Sequence, residues 1–183
     1  MNERACLAAT RMHDSRRRAP PRLLPRRVPP TVLTMTRVYF AYGSNLDEEQ
    51  MRARCPAAAL GPRATLHHHA LAFGGFSPRW QGAVASVVRE KGRTVAGLLY
   101  QLTADDVASL DRHEGVPYAY EKVVRFVVDE HGRRRRVFTY VQPAETFEPW
   151  TPPAKYFVQI WRAYQRLGFD RAALAAAAGI QHP

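Results

Sequence analysis

The alternation of apolar and polar positions from residue 36 onward predicts a strand-rich chain punctuated by short helices. Val38–Ala41 reads as a first short strand. Asp47 to Arg54 reads as a short helix with Asp47 near its N-cap and Pro56 closing it. Residues 63–74, which include His67-His68-His69, form a second strand. Residues 84–90 and 94–102 alternate apolar with small or polar residues and predict two further strands, with Lys91-Gly92-Arg93 as a hairpin turn between them. Thr103 then opens a helix, with Asp106 at its third position in a capping-box arrangement. That helix buries Val107 and Leu110 and ends at Gly115. Residues 121–129 and 134–142 are two long strands joined by the hairpin loop Glu130-His131-Gly132-Arg133. A Pro-rich connection over 147–153 leads to a helix at 154–167, whose apolar stripe includes Phe157, Ile160, Trp161 and Tyr164. Asp170 caps a last, Ala-rich helix. Hairpins dominate, so the expected fold is α+β: a small, largely antiparallel curved sheet closing towards a barrel, with flanking helices.

Composition changes this picture at one end. The formal net charge of +11 is uneven: residues 1–34 hold eight arginines against Glu3 and Asp14, leaving +5 for the rest. The same segment has five prolines and little apolar periodicity. It cannot bury enough surface to offset chain entropy, so residues 1–34 are expected to be a disordered Arg/Pro-rich extension and residues 35–183 the folded domain. Initiation at Met35 is one explanation of the abrupt change; an Arg-rich transit peptide or a nucleic-acid-binding arm are others. Aromatic residues are absent before Tyr39, which weighs against nucleic acid as a partner. No run of about 18 apolar residues is present, so no membrane-spanning helix is expected. Cys6 and Cys55 provide neither a disulfide framework nor a zinc spacing, and a reducing cytoplasm is the simplest compartment.

Two stretches carry candidate chemistry. The first is Tyr39-Phe40-Ala41-Tyr42-Gly43-Ser44-Asn45-Leu46, a strand running into a turn of small and polar residues. Gly43 can take φ > 0 there and let backbone approach a ligand. Successive N–H groups of such a turn can form an oxyanion cradle, although a plain tight turn has the same composition. The second is Leu110-Asp-Arg-His-Glu114-Gly115, followed by Tyr118 and Tyr120. Glu114 sits in the last turn of a helix, where the helix dipole and partial burial both disfavour its charge. That raises its pKa towards the range useful for acid–base work, unless the residue is simply a solvated surface glutamate.

Taken in order and spacing, Y-G-S-N-L followed by L-D-x-x-E-G resembles the γ-glutamylcyclotransferase family. Trp80-Gln81-Gly82 matches the family's Trp-x-Gly element and Gly97-Leu98-Leu99-Tyr100 its G-x-x-Y strand. Pro152 and Tyr156 keep the spacing of a late Pro-Ser-x-x-Tyr element, with Pro153 in place of the serine. The likeness covers about residues 36–168. It implies a six-stranded barrel, a single catalytic carboxylate at Glu114, and a substrate loop formed by Tyr39, Phe40, Ala41, Tyr42, Gly43, Ser44 and Asn45. Tyr120 and Tyr156 match two further active-site tyrosines, with Tyr118 competing for the role of Tyr120. The implied partner is a small γ-glutamyl compound, cyclised to 5-oxoproline by a transferase- or lyase-type enzyme that needs no metal or organic cofactor. Release of an amine, a tailoring step in biosynthesis, and a non-catalytic ligand-binding barrel are the alternatives.

The remaining features point to structure. Neighbouring residues on a strand face opposite ways, so only His67 and His69 can share a face, and no third metal ligand follows at a recognisable spacing. The run Arg133 to Arg136 reads as a solvated edge or a nonspecific anion contact. Cys55 has no paired base, which leaves it without a nucleophilic role.

Overall fold

Five strands close into a barrel in the order β1-β3-β2-β4-β5 in the computed structural model, which describes residues 37–180. They are β1 (Arg37–Ala41), β2 (Ala59–Ser77), β3 (Gly82–Leu102), β4 (Glu121–Asp129) and β5 (Arg134–Val141). Every pairing is antiparallel except the closure, where β1 runs parallel to β5 through Tyr39 and Phe138. Four helices flank the barrel: α1 (Glu48–Arg54), α2 (Ala104–Glu114), α3 (Ala154–Leu167) and α4 (Arg171–Ala177). The extension expected over residues 1–34 and the Met35 start lie outside the described residues.

The barrel has five strands where six were expected, because Lys91-Gly92-Arg93 does not reverse the chain. Both flanks of that tripeptide pair with β2: His67 faces Thr94, and His69 faces Arg89. The extra residues of β3 form a bulge opposite His68. Gly92 adopts φ +87° and His68 φ +60°, and the Gly92 N–H points to the His68 ring at 3.3 Å. A bulge adds twist and bend without ending a strand, so two long strands curl round the barrel in place of three short ones. It also breaks the strict alternation expected through the histidine run.

The interior follows the apolar pattern. Phe40, Leu66, Leu102, Val127 and Ile160 are fully or almost fully buried. Gly97 lies where β1 crosses β3, and a Cβ there would fall on the Ala41 carbonyl oxygen and the Phe40 ring. Only glycine fits the crossing. Helix α2 begins with the expected capping box: the Thr103 hydroxyl accepts from the Asp106 N–H, while Asp106 Oδ2 accepts from the Thr103 N–H. It ends at Gly115 with φ +68°, the left-handed cap that glycine allows. Helix α3 buries Tyr156, Ile160, Ala163, Tyr164 and Leu167 against the barrel, while Phe157 and Trp161 are half-buried beside them. The arginine run is exposed, as expected, but two of its members also hold a buried carboxylate. Arg133 and Arg135 donate to Asp129, whose side chain is fully buried, and Arg134 lies 3.9 Å from the centre of the Phe126 ring. No helix among the described residues is long and apolar enough to cross a membrane.

Candidate active site

At one end of the barrel, β1 runs into a single 3-10 turn over Ser44–Leu46. Gly43, just before it, has φ −112°, so the expected positive φ is not used. The reason for glycine is space. A Cβ at Gly43 would stand 3.1 Å from the Ala85 Cβ and 3.5 Å from the Tyr156 hydroxyl. Ser44 and Asn45 open the turn, so their N–H groups have no partner within it.

Glu114 reaches this turn from the last residue of α2. Its Oε1 accepts from Asn45 Nδ2 at 2.9 Å and from an Arg54 guanidinium nitrogen at 3.1 Å. The same nitrogen donates to Asn45 Oδ1 at 2.8 Å, so Arg54, Asn45 and Glu114 form a closed triangle. Asn45 Nδ2 also donates to the Tyr39 hydroxyl at 2.9 Å. Gln50 stands behind the turn, donating to Ser44 Oγ at 3.0 Å and Asn45 Oδ1 at 3.1 Å. The Arg54 and Glu114 side chains are 7% and 14% exposed, which makes this a largely desolvated ion pair. Burial pushes the Glu114 carboxyl above its ordinary range, and the pull of Arg54, the Asn45 hydrogen bond and Arg79 only partly offsets it.

Two tyrosines bond to the backbone of Ala85, a β3 residue that lies opposite Phe73 of β2. The Ala85 N–H donates to the Tyr156 hydroxyl at 3.0 Å, and the Tyr120 hydroxyl donates to the Ala85 carbonyl at 2.7 Å. Tyr42 donates to the Tyr140 carbonyl at 2.6 Å. Burial raises the phenols of Tyr39, Tyr42 and Tyr120 well above their usual value and takes Tyr156 to about 12, so all four remain neutral donors near neutral pH. Tyr118 is 90% exposed, whereas Tyr120 reaches the interior. Phe40 and Ala41 are fully buried and pack in the core, adding shape to the loop but no side chain to the cavity. Pro153 takes the N-cap position of α3 without a capping side-chain bond and packs on Gly82.

A cleft of about 520 Å³ leads in from solvent between the β2–β3 loop and the end of α2. Trp80 and Arg79 line one wall, Arg112, His113 and Tyr118 the other, and Ser44, Glu114, Tyr120 and Tyr156 the floor. The floor residues also border a small inner cavity of about 30 Å³, closed by Tyr39, Tyr42 and Tyr140. The arrangement gives one carboxylate, aimed between neutral hydroxyls and backbone N–H groups, at the bottom of a site for a small molecule. Cys55 has no comparable setting. It is buried, its thiol faces the Asp106 carbonyl, and burial lifts its pKa to about 12. The sequence pattern did not single out Arg54, Gln50 or Tyr140. An arginine in the last turn of a short helix reads as an ordinary partner of the helix dipole, and nothing local links it to a glutamate sixty residues later.

A family model described as Gamma-glutamyl cyclotransferase, AIG2-like matches residues 39–158. The chain is similar to a Mus musculus protein named gamma-glutamylcyclotransferase, 32% identical over 125 residues, which are 66% of this chain and 66% of that protein. A Homo sapiens protein of the same name is 30% identical over 126 residues, covering 66% of this chain and 67% of its own length. The match thus spans about two thirds of these relatives. A solved structure named Gamma-glutamyl cyclotransferase superposes with a TM-score of 0.72 at 26% identity, covering 81% of this chain and 89% of that one. With a matching family model across the barrel and both motif stretches, the chain belongs to the gamma-glutamyl cyclotransferase, AIG2-like family.

Proposed function

We propose that the protein is a γ-glutamylcyclotransferase with Glu114 as its general acid–base. The observation that carries this reading is a largely buried carboxylate with a raised pKa, reached by a cleft of small-molecule size and facing an N–H-bearing turn. The substrate's own unprotonated α-amine attacks the γ-carbonyl carbon and forms the lactam C–N bond. Glu114 takes the proton that this nitrogen sheds. The oxyanion meets N–H groups around Gly43, Ser44 and Asn45. When the intermediate collapses, the original amide C–N bond breaks and Glu114 returns the proton to the departing nitrogen. Products are 5-oxoproline and a free amino acid or amine. Nucleophile and electrophile share one molecule, so the site's main task is to hold the substrate in a bent, near-attack shape. Neutral Tyr120 and Tyr156 are placed to line that bend as substrate-binding groups, along with Tyr39 and Tyr42.

The test is product analysis by mass spectrometry with γ-glutamyl-alanine, free and N-acetylated. The free compound is expected to give 5-oxoproline and alanine, and the blocked one nothing. Glutamate as the main product, or turnover of the acetylated compound, would replace cyclisation with hydrolysis.

A further inference from the structure

The two oxygens of Glu114 are not equivalent. Oε1 receives both hydrogen bonds, from Asn45 and from Arg54. Among the described residues Oε2 has no hydrogen-bond partner, and it is not one of the buried atoms left without one, so it opens to the cleft. The direction of the Asn45 amide is fixed by the same network. A guanidinium can only donate, so the Asn45 atom 2.8 Å from Arg54 must be its oxygen, and Gln50 supports that oxygen from the other side. The amide nitrogen is thereby turned to Glu114 Oε1 and to the Tyr39 hydroxyl. Arg54 thus acts twice on Glu114, once directly and once by setting the amide. It does so at a cost: its Nε is buried with no partner. Local rules are broken in this way more readily at functional sites than in scaffold.

We propose that Arg54 and Asn45 are positioning residues that commit Oε1 of Glu114 as a fixed acceptor, leaving Oε2 as the single oxygen that carries the proton from the attacking to the departing nitrogen. A carboxylate free to rotate would offer either oxygen in several orientations. Held at Oε1, it presents one lone-pair direction to both nitrogens of the substrate in turn. The inference rests on Glu114 being the acid–base of the reaction.

The experiment is the pH profile of kcat/KM for 5-oxoproline release, with Arg54→Met, Arg54→Lys, Asn45→Asp and Glu114→Gln alongside the parent. The charged and titratable groups around Glu114 are Arg54 from α1, Arg79 from the β2–β3 loop, Arg112 and His113 from its own helix, and Cys55, Tyr39, Tyr42, Tyr120, Tyr140 and Tyr156. The His113 pKa is lowered by burial and by the arginines, so an acid limb that persists in Glu114→Gln belongs to it and overturns the assignment to Glu114. The thiol and all five phenols are raised, so none of them titrates on the acid limb. In Arg54→Met, whose fold is checked by thermal melting, the limb is expected to move up by about one to three pH units as the nearby cation is lost. At neutral pH kcat should fall at least about tenfold, the low end of what a correctly held acid–base contributes being larger still. KM should change little. Arg54→Lys keeps the charge but reaches one of the two acceptors, so it should restore the limb more than kcat. If Arg54→Met does not fold, Asn45→Asp reads the same point, because Asp cannot donate to Oε1 and sets a like charge beside it. A folded variant of either kind with the parent's limb and kcat overturns the inference. Full turnover by Glu114→Gln would instead remove the acid–base reading on which it rests.

Discussion

Glu114 is pulled in opposite directions by its surroundings. Burial lifts its pKa, and Arg54, Asn45 and Arg79 draw it down, with burial prevailing. A base must be unprotonated to accept the amine proton, so kcat/KM should rise with pH through a limb above the usual glutamate value and rise again through the ionisation of the substrate's own α-amine. Glu114→Gln keeps the shape but can neither take nor return a proton. A loss of roughly 10²–10⁴ in kcat is expected, with the fold retained by circular dichroism. The same substitution has a stability signature. A carboxyl whose folded pKa is raised stabilises the fold fully below its unfolded pKa, and that contribution is lost as pH rises through the folded value. Melting temperature should therefore decline with pH over that window in the parent, and the part due to Glu114 should vanish in the Gln variant. A parent and variant with superimposable melting profiles would mean that the carboxyl is not held in the desolvated setting described here.

The element that delivers Glu114 is α2, and its two ends do different jobs. The C-terminal end carries the carboxylate and turns sharply at Gly115, while the N-terminal end is fastened by the reciprocal Thr103–Asp106 bonds. Thr103→Ala removes the N-terminal fastening only. Stability should drop by about 1 kcal/mol in denaturant unfolding, with kcat close to that of the parent. A large loss of kcat with unchanged stability would contradict this division. Both caps were legible in the sequence, because Thr-x-x-Asp and a terminal glycine are local signals. The continuity of β3 was not. Lys91-Gly92-Arg93 has the composition of a hairpin turn, and whether such a tripeptide reverses the chain or merely bulges depends on what its flanks pair with. Here one long partner, β2, takes both flanks. Register across a sheet is a nonlocal property that residue types at the turn do not encode. The candidate site divides in the same way. The loop over residues 39–45, Glu114, Tyr120 and Tyr156 each stand in a recognisable frame, and the fold gathers them round one cavity except for Phe40 and Ala41, which turn into the core. Arg54 and Gln50 stand in no such frame and emerge only when α1 is set behind the turn.

At the scale of the whole molecule, the charge of the cleft bears on which substrates enter it. Glu114 is the only carboxylate among its lining residues, and it is engaged by Arg54. Arg79 and Arg112 stand nearer the mouth, and no ion pair holds either of them among the described residues. His113, on the same cleft wall as Arg112, is less readily charged than an ordinary imidazole, because burial and three nearby arginines lower its pKa. In the proposed reaction the γ-carbonyl lies at the floor beside Glu114, which would direct the departing part of the substrate towards those two cations. A leaving group that keeps a free carboxylate should then be favoured over the same group capped as an amide. Exposed pairs of this kind contribute about 0.2–1 kcal/mol, which corresponds to a preference of up to about fivefold in kcat/KM. Screening should erase most of it as ionic strength rises well above 0.1 M. Comparing γ-glutamyl-alanine with γ-glutamyl-alaninamide at low and high salt isolates the effect, because the glutamyl half is unchanged. Equal rates at low salt, or a preference for the amide, would show that Arg79 and Arg112 serve solubility and leave the choice of substrate to the apolar wall at Trp80.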